Sequence, residues 1–312
     1  MRGRAGFLRV SALVLLVALL ASCGPAGGGD PPEPPRPPVG PASIDEVDLV
    51  VEVYRTRFDP ERGTMQIAVR NAGATPVTVV SASLDSPALT APLTRDDETT
   101  IPTGTTRDLP VILAGARCPA PPTEAPDARL EVLLADGSTA IVDDPTVDRL
   151  GQWAAWLEAT CEAAAVDAVV ELSLRRAPAS DVLDAGSSSV IGLDLVAIGA
   201  GSVGADAMIE SIGSTVLLSV VDGDGQRRSS IPIGLRVTPG ERTAVPVTVT
   251  SARCDPHAIA EDKQGTRFPV TVRLEGGAGP AITVIVAADD EVRAGLYDAI
   301  RQACGLPGSG RD

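Results

Sequence analysis

The chain has 312 residues, with 26 basic against 41 acidic side chains and a formal net charge of −15. So acidic a chain excludes nucleic acid as a partner, which needs a basic face, and it opposes adsorption to anionic lipid. Aromatic residues are few, three Phe, two Tyr and two Trp, which argues against a large ring-stacking site.

At the N-terminus, Arg2, Arg4 and Arg9 precede VSALVLLVAL at 10–19, an apolar core too short for a membrane span. That is the pattern of a secretory signal. The stretch closes on Leu20-Ala21-Ser22-Cys23. This resembles the lipobox of bacterial lipoproteins, where small residues precede a cysteine. The resemblance implies cleavage before Cys23 and diacylglycerol on its sulfur. The partner of the N-terminus would then be the membrane, reached through lipid on the outer, extracytoplasmic face. Two or more acyl chains make such anchoring stable. Residues 1–22 are therefore expected to be a lipoprotein signal peptide, and 23–43 a lipidated cysteine with its tether. GPAGGGDPPEPPRPPVGPA at 24–42 is flexible in its Gly run and stiff in its Pro run. At about 3.1 Å per residue, polyproline would hold the folded part tens of ångströms off the membrane. No later segment reads as a span; the smoothest, 190–204, contains Asp194 and several glycines.

The remainder reads as one unit repeated twice. VDLVVEV at 47–53 returns as VDAVVEL at 166–172, and ARC at 116–118 returns at 252–254. Each copy ends in a helical pattern closing on cysteine, DRLGQWAAWLEATC at 148–161 and EVRAGLYDAIRQAC at 291–304. The expected domains are 44–165 and 166–312. Five cysteines then divide into Cys23 for lipid and two per repeat, and export favours oxidised pairs. The repeat order predicts Cys118–Cys161 and Cys254–Cys304. A four-thiolate metal site would need both repeats to converge, and no C-x-x-C pair is present.

In the first helix, Leu150, Ala154, Leu157 and Cys161 follow 3–4 spacing; in the second, Val292, Leu296, Ile300 and Cys304 do. Asp143 and Asp144 ahead of the first, and Asp289 and Asp290 ahead of the second, suit the helix dipole, and Gly305 suits a C-terminal cap. Trp153, Trp156 and Tyr297 read as packing residues.

Between these landmarks the apolar period is two. Val47, Leu49, Val51 and Val53 alternate with polar residues, as do Met65, Ile67 and Val69; NAG then turns the chain and Val77 and Val79 resume. LEVLLADGSTAIV at 130–142 reads as a hairpin around Asp136-Gly137, and TVLLSVVDGDGQ at 215–226 as a strand with a turn. MQIAVRNAGATPVTVVSASL resembles strand pairs of bacterial immunoglobulin-like domains. TIPTGTTRDLPVIL at 100–113 and RVTPGERTAVPVTV at 236–249 look like the Pro-Gly turn and late strand of the same kind of domain. The fold class expected is mainly β: two tandem immunoglobulin-like antiparallel sandwiches, each ending in a short disulfide-pinned helix.

Parts for known chemistries are missing. One histidine excludes a His-pair zinc motif; there is no G-x-S-x-G elbow, and the Gly-rich 199–204 lacks a P-loop lysine. Asp222 and Asp224 begin like a calcium loop, but Arg227 stands where Gly is needed, so a hairpin turn is the reading. No cofactor is expected. SARCDPHAIAEDKQGTRFPV at 251–270 holds the only histidine, His257, and the only lysine, Lys263. Asp255-Pro256 reads as an N-cap with Pro at the first helical position. On that turn His257 and Glu261 fall at i and i+4, as two metal ligands would. A third ligand does not stand out, and the sister loop RCPAPPTEAPDARLEV makes the same corner without histidine. The corner is read as structural or contact-making, with His257 and Glu261 the metal candidates held against it. The whole chain resembles actinobacterial lipoproteins carrying Arg-Cys-Asp-Pro-His, Ala-Glu-Asp-Lys, Gly-Thr and Phe-Pro, here at 253–257, 260–263, 265–266 and 268–269. No activity follows from that resemblance. The expected function is a membrane-anchored extracytoplasmic binding or structural module of the cell envelope, not an enzyme, whose partner is an envelope protein. The alternative is a ligand-capture lipoprotein with a cleft between its domains.

Overall fold

The computed structural model describes residues 40–121, 124–177, 190–201, 204–262, 264–275 and 279–307. Cys23, the signal segment and nearly all of the tether lie outside them, as does Lys263. Among the described residues no helix is long and apolar enough to cross a membrane.

The first half runs β1 (Leu49–Tyr54), α1 (Asp59–Arg62), β2 (Thr64–Asn71), β3 (Val77–Asp85), β4 (Leu93–Arg95), β5 (Thr99–Ile101), β6 (Thr106–Ile112), β7 (Asp127–Leu133) and β8 (Thr139–Pro145), followed by α2 (Gln152–Asp167). One sheet has the order β1-β2-β6; the other has β4-β3-β7-β8, with β5 also on β3. All pairings between these strands are antiparallel. The second half runs β9 (Val170–Arg176), β10 (Val190–Gly199), β11 (Ala207–Gly213), β12 (Leu218–Val221), β13 (Arg227–Arg228), β14 (Ser230–Val237), β15 (Arg242–Ser251), α3 (Pro256–Ala260), β16 (Arg267–Leu274), β17 (Ile282–Ala287) and α4 (Asp290–Ala303). Its sheets are β13-β12-β15-β10-β9 and β14-β11-β16-β17. In both halves the second and late middle strands share one sheet while the third and the last two share the other. That is the immunoglobulin Greek-key arrangement.

Alternation places one side of each strand inward. Val51, Val53, Met65, Ile67, Val69, Leu109 and Val111 face Val77, Val79, Leu84, Leu130 and Val132 in a first core. Leu193, Leu195, Val247 and Val249 face Ile209, Ile212, Phe268, Val270 and Val272 in a second. Corresponding strands of the two halves carry the same irregularity. β3 shifts register between Val79 and Ser81, and β11 between Ile209 and Ser211. The extra residue reverses which side faces inward, so Val77 and Val79 are followed inside by Ala82 and Leu84, and Ala207 and Ile209 by Ile212.

The NAG turn carries the chain from one sheet to the other, since β2 and β3 lie in different sheets. Buried Asn71 holds it, donating to the carbonyls of Thr75 and Ile101 and accepting from the Gly73 N–H. Several expectations are corrected. The first helix does not stop at Cys161. It continues to Asp167, through the start of the second VDxVVE, and the expected boundary at 165/166 falls inside it. Its buried face is Trp153, Leu157 and Val166; Leu150 precedes the helix and is 70% exposed, and Ala154 is exposed. Asp143 and Asp144 belong to β8; the N-cap position is Gly151, and the first N–H groups of the helix, of Gln152 and Trp153, donate to the carboxylate of Asp148. The second helix follows the sequence: Val292, Leu296 and Ile300 are buried, Asp289 accepts from Val292 N–H, and Gly305 has φ 63°. Both hairpin turns form, at Asp136-Gly137 and at Asp222.

Candidate functional site

Two regions bring the predicted site residues together, and both lie where the halves meet. The first is built on α2. Cys118, in the loop after β6, is bonded to Cys161 of α2, and Cys254, after β15, to Cys304 at the end of α4. The pairing follows the repeat order, with Cα atoms 5.3 Å apart in each case. Beside the first disulfide runs an open groove of about 920 Å³. Its walls are Pro119 and Pro121 of the loop, Ala154, Leu157 and Ala165 of α2, and Ile282 of β17. Glu158 and Glu162, one turn apart on α2, add the charge. The groove is apolar because α2 turns Ala154, Leu157, Ala164 and Ala165 to it, the last two beyond the end that the sequence pattern set for the helix.

The second region is the His257 corner. Asp255 caps α3 by accepting from the His257 N–H at 3.0 Å, with Pro256 in the first turn, as its sequence requires. His257 and Glu261 are both exposed. Among the described residues no group of three or more His, Cys, Asp and Glu side chains gathers for a metal ion. Glu261 instead meets Arg57 of the first half at 3.5 Å, and with both side chains exposed the pair contributes little. The acid that organises the corner is Asp262. It accepts from the Gly265 N–H at 2.7 Å, the Gln264 N–H at 3.3 Å and the Tyr297 hydroxyl at 2.7 Å. Burial and this bond push the Tyr297 phenol above its ordinary pKa. Gly265 is required there: a Cβ would run into the Asp262 carboxylate and the Leu217 side chain. Tyr297 thus serves as a packing residue with a hydrogen-bonded tip.

Reading from the sequence passed over Arg55 and Gln152. Gln152, the first residue of α2, accepts from the Arg55 N–H at 2.8 Å and donates to its carbonyl at 3.2 Å. Neither residue carries a motif; only the fold makes them neighbours. The Asp222 carboxylate, at the calcium-like stretch, accepts from the N–H groups of Asp224 and Gln226 and from Arg228. It is occupied in tying its own turn.

No family model matches the chain, and comparison with curated proteins finds no match. Among solved structures it is similar to a protein of unknown function from Porphyromonas gingivalis W83, at 16% identity over 78% of this chain and 99% of that one, with a TM-score of 0.21. A Salmonella alpha-2-macroglobulin mutant is 11% identical over 78% of this chain and 16% of that one, with a TM-score of 0.23. A BSP domain of a biofilm-associated protein is 8% identical over 79% and 58%, with a TM-score of 0.20. Superpositions this loose add nothing to the strand order.

Proposed function

We propose that the chain is a membrane-anchored, extracytoplasmic binding module of the cell envelope, tethered through Cys23 and without chemistry of its own. The observation that supports this reading is the groove along α2. It is roomy, its walls are mostly apolar, and both halves of the chain contribute to it. Concave apolar sites with a few placed polar groups are where proteins bind partners. A protein segment suits it better than a sugar or ring, since none of the lining residues is aromatic. The position of the groove between the halves favours a second reading, capture of a small apolar ligand.

Two experiments test the proposal. Cys23→Ser should abolish lipid processing and release the protein from the membrane fraction; unchanged attachment would defeat the anchoring. A photo-crosslinker at Ala154 in intact cells should join a defined partner that the same probe at Thr139, on β8, does not. Equal products from both positions, or none from Ala154, would defeat the groove as the binding face.

A further inference from the structure

The groove beside the first disulfide follows α2, and its lining restricts what can lie in it. Ala154, Glu158, Glu162 and Ala165 recur at three- and four-residue spacing, so they share one face of the helix. From Ala154 to Ala165 that face is about 16 Å long, about three turns. Ala154, Glu158 and Ala165 are exposed on it, while Trp153 and Val166 take the buried side.

Backbone bonding selects the conformation of an occupant. An extended segment leaves its N–H and C=O groups to be paired by its host. The groove offers little for that. The α2 backbone is paired within its own helix, and Pro119 and Pro121 on the other wall have no N–H to give. Ile282 is one residue of β17, too little for a ladder. A helix brings its backbone bonds with it and needs only side-chain contact. Alanine at 154 and 165 lets it approach closely, because side-chain size at the contact sets the distance between helix axes.

Charge selects the chemistry. Glu158 and Glu162, one turn apart, are the charged residues of the lining. Neither has a hydrogen bond or an ion pair among the described residues. Like charges four residues apart on a helix repel mildly, and two cations one turn apart on a facing helix relieve this. A second copy of the chain, with its net charge of −15, is repelled by the same acids. We propose that the groove receives an amphipathic helix of a protein partner, its apolar stripe on the alanine face and two Lys or Arg residues one turn apart against Glu158 and Glu162. The inference rests on the groove being the binding face, and it adds the partner's conformation and charge.

The test keeps the full chain in intact cells, with the photo-crosslinker at Ala154. Glu158→Lys with Glu162→Lys should lower the yield of the joined product about tenfold, because two attractions become two repulsions of similar size. Glu158→Gln with Glu162→Gln should lower it less. Asp96→Lys with Glu98→Lys, the same change of charge at two exposed positions between β4 and β5, should leave it unchanged. Melting temperatures of the purified variants check that each is folded, and the Gln pair decides if the Lys pair is not. Mass spectrometry of the joined peptide should return apolar residues at three- and four-residue spacing with Lys or Arg four residues apart. A yield indifferent to both pairs of substitutions overturns the inference and leaves the groove as the binding face. So does a joined peptide that belongs to this chain, or one without paired basic residues. No product from Ala154 removes the groove reading, and the inference with it.

Discussion

Gln152 holds Arg55 as a second peptide group would, one side-chain atom accepting from its N–H at 2.8 Å and the other donating to its carbonyl at 3.2 Å. The residues are 97 apart in sequence, and the contact fastens the start of α2 to the end of β1. Gln152→Ala removes both bonds from a part-buried site and should cost about 1–3 kcal/mol. Leu150→Ala, two residues earlier at a 70% exposed side chain, should stay within about 0.5 kcal/mol. Urea midpoints of the two variants check this. A Leu150 effect as large as that of Gln152 would show that the loop before α2 is packed after all.

Asp59 gives the chain an acid-sensitive joint. Its carboxylate has no solvent exposure. Burial alone would raise its pKa, but the bonds from Thr64, Thr56 and Gln66 outweigh burial and hold it below the ordinary carboxylate value. A depressed folded pKa means that the stabilisation is complete above the unfolded value of about 3.9 and is lost as pH falls through the folded one. Stability should therefore decline below about pH 4. Asp59→Asn should be less stable at pH 7 and show a flatter decline in that window. A variant that keeps the wild-type slope would assign the acid sensitivity to other carboxylates.

Each disulfide closes a long loop, with cysteines 43 and 50 residues apart. In the chain-entropy model either contributes about 4 kcal/mol. Non-reducing peptide maps of exported protein should join Cys118 to Cys161 and Cys254 to Cys304. Removing one pair by a double Cys→Ala substitution should lower stability by about 2–5 kcal/mol. Recovery of Cys118 joined to Cys254 would break the correspondence between the halves.

Much of this fold was legible because its signals are local. Alternation at Val51 and Val53, turns at Gly104 and Gly240, and the 292–296–300 stripe each depend on a few neighbouring residues. The repeated Arg-Cys landmark then paired the cysteines. What sequence hid is long-range. The bulges of β3 and β11 change which side faces inward without altering composition. The 3–4 spacing through Leu150 and Ala154 marked a stripe that the helix does not bury; Trp153, read as a packing residue, turns to the core, while Ala154 is exposed and Leu150 precedes the helix. The groove needs Ile282 to arrive beside Pro119. His257 was the conspicuous residue, yet its corner turns on Asp262 and Gly265.

His257 should accordingly be nearly silent. It is exposed, and the helix-capping bond is made by Asp255 to its backbone N–H. His257→Ala should change stability by less than about 0.5 kcal/mol. Asp255→Ala, which deletes an N-cap, should cost about 1 kcal/mol. Chelator-treated protein titrated with Zn²⁺, Cu²⁺, Ni²⁺ and Ca²⁺ should give no tight one-to-one binding. Submicromolar binding that disappears in His257→Ala would restore His257 and Glu261 as ligands.

α2 belongs to both cores at once. Trp153 and Leu157 pack in the first and Val166 in the second. At about 1.5 Å per residue, the helix carries Trp153 and Val166 on one rod about 20 Å apart. A continuous helix with buried residues at both ends links the two cores, so losing one core removes packing that holds the helix of the other. The two halves should therefore melt together. Both tryptophans, Trp153 and Trp156, lie on α2, so fluorescence follows the helix and the first core, while far-UV circular dichroism follows every sheet. In the wild type the two traces should coincide, as a single cooperative transition requires. Ala164→Pro places proline in the helix interior at an exposed position, between Leu157 and Val166. It should cost about 3 kcal/mol and cut the rod without touching either core. The traces should then separate into two transitions. Coincident traces in the variant, or separate ones in the wild type, would show that α2 does not couple the halves.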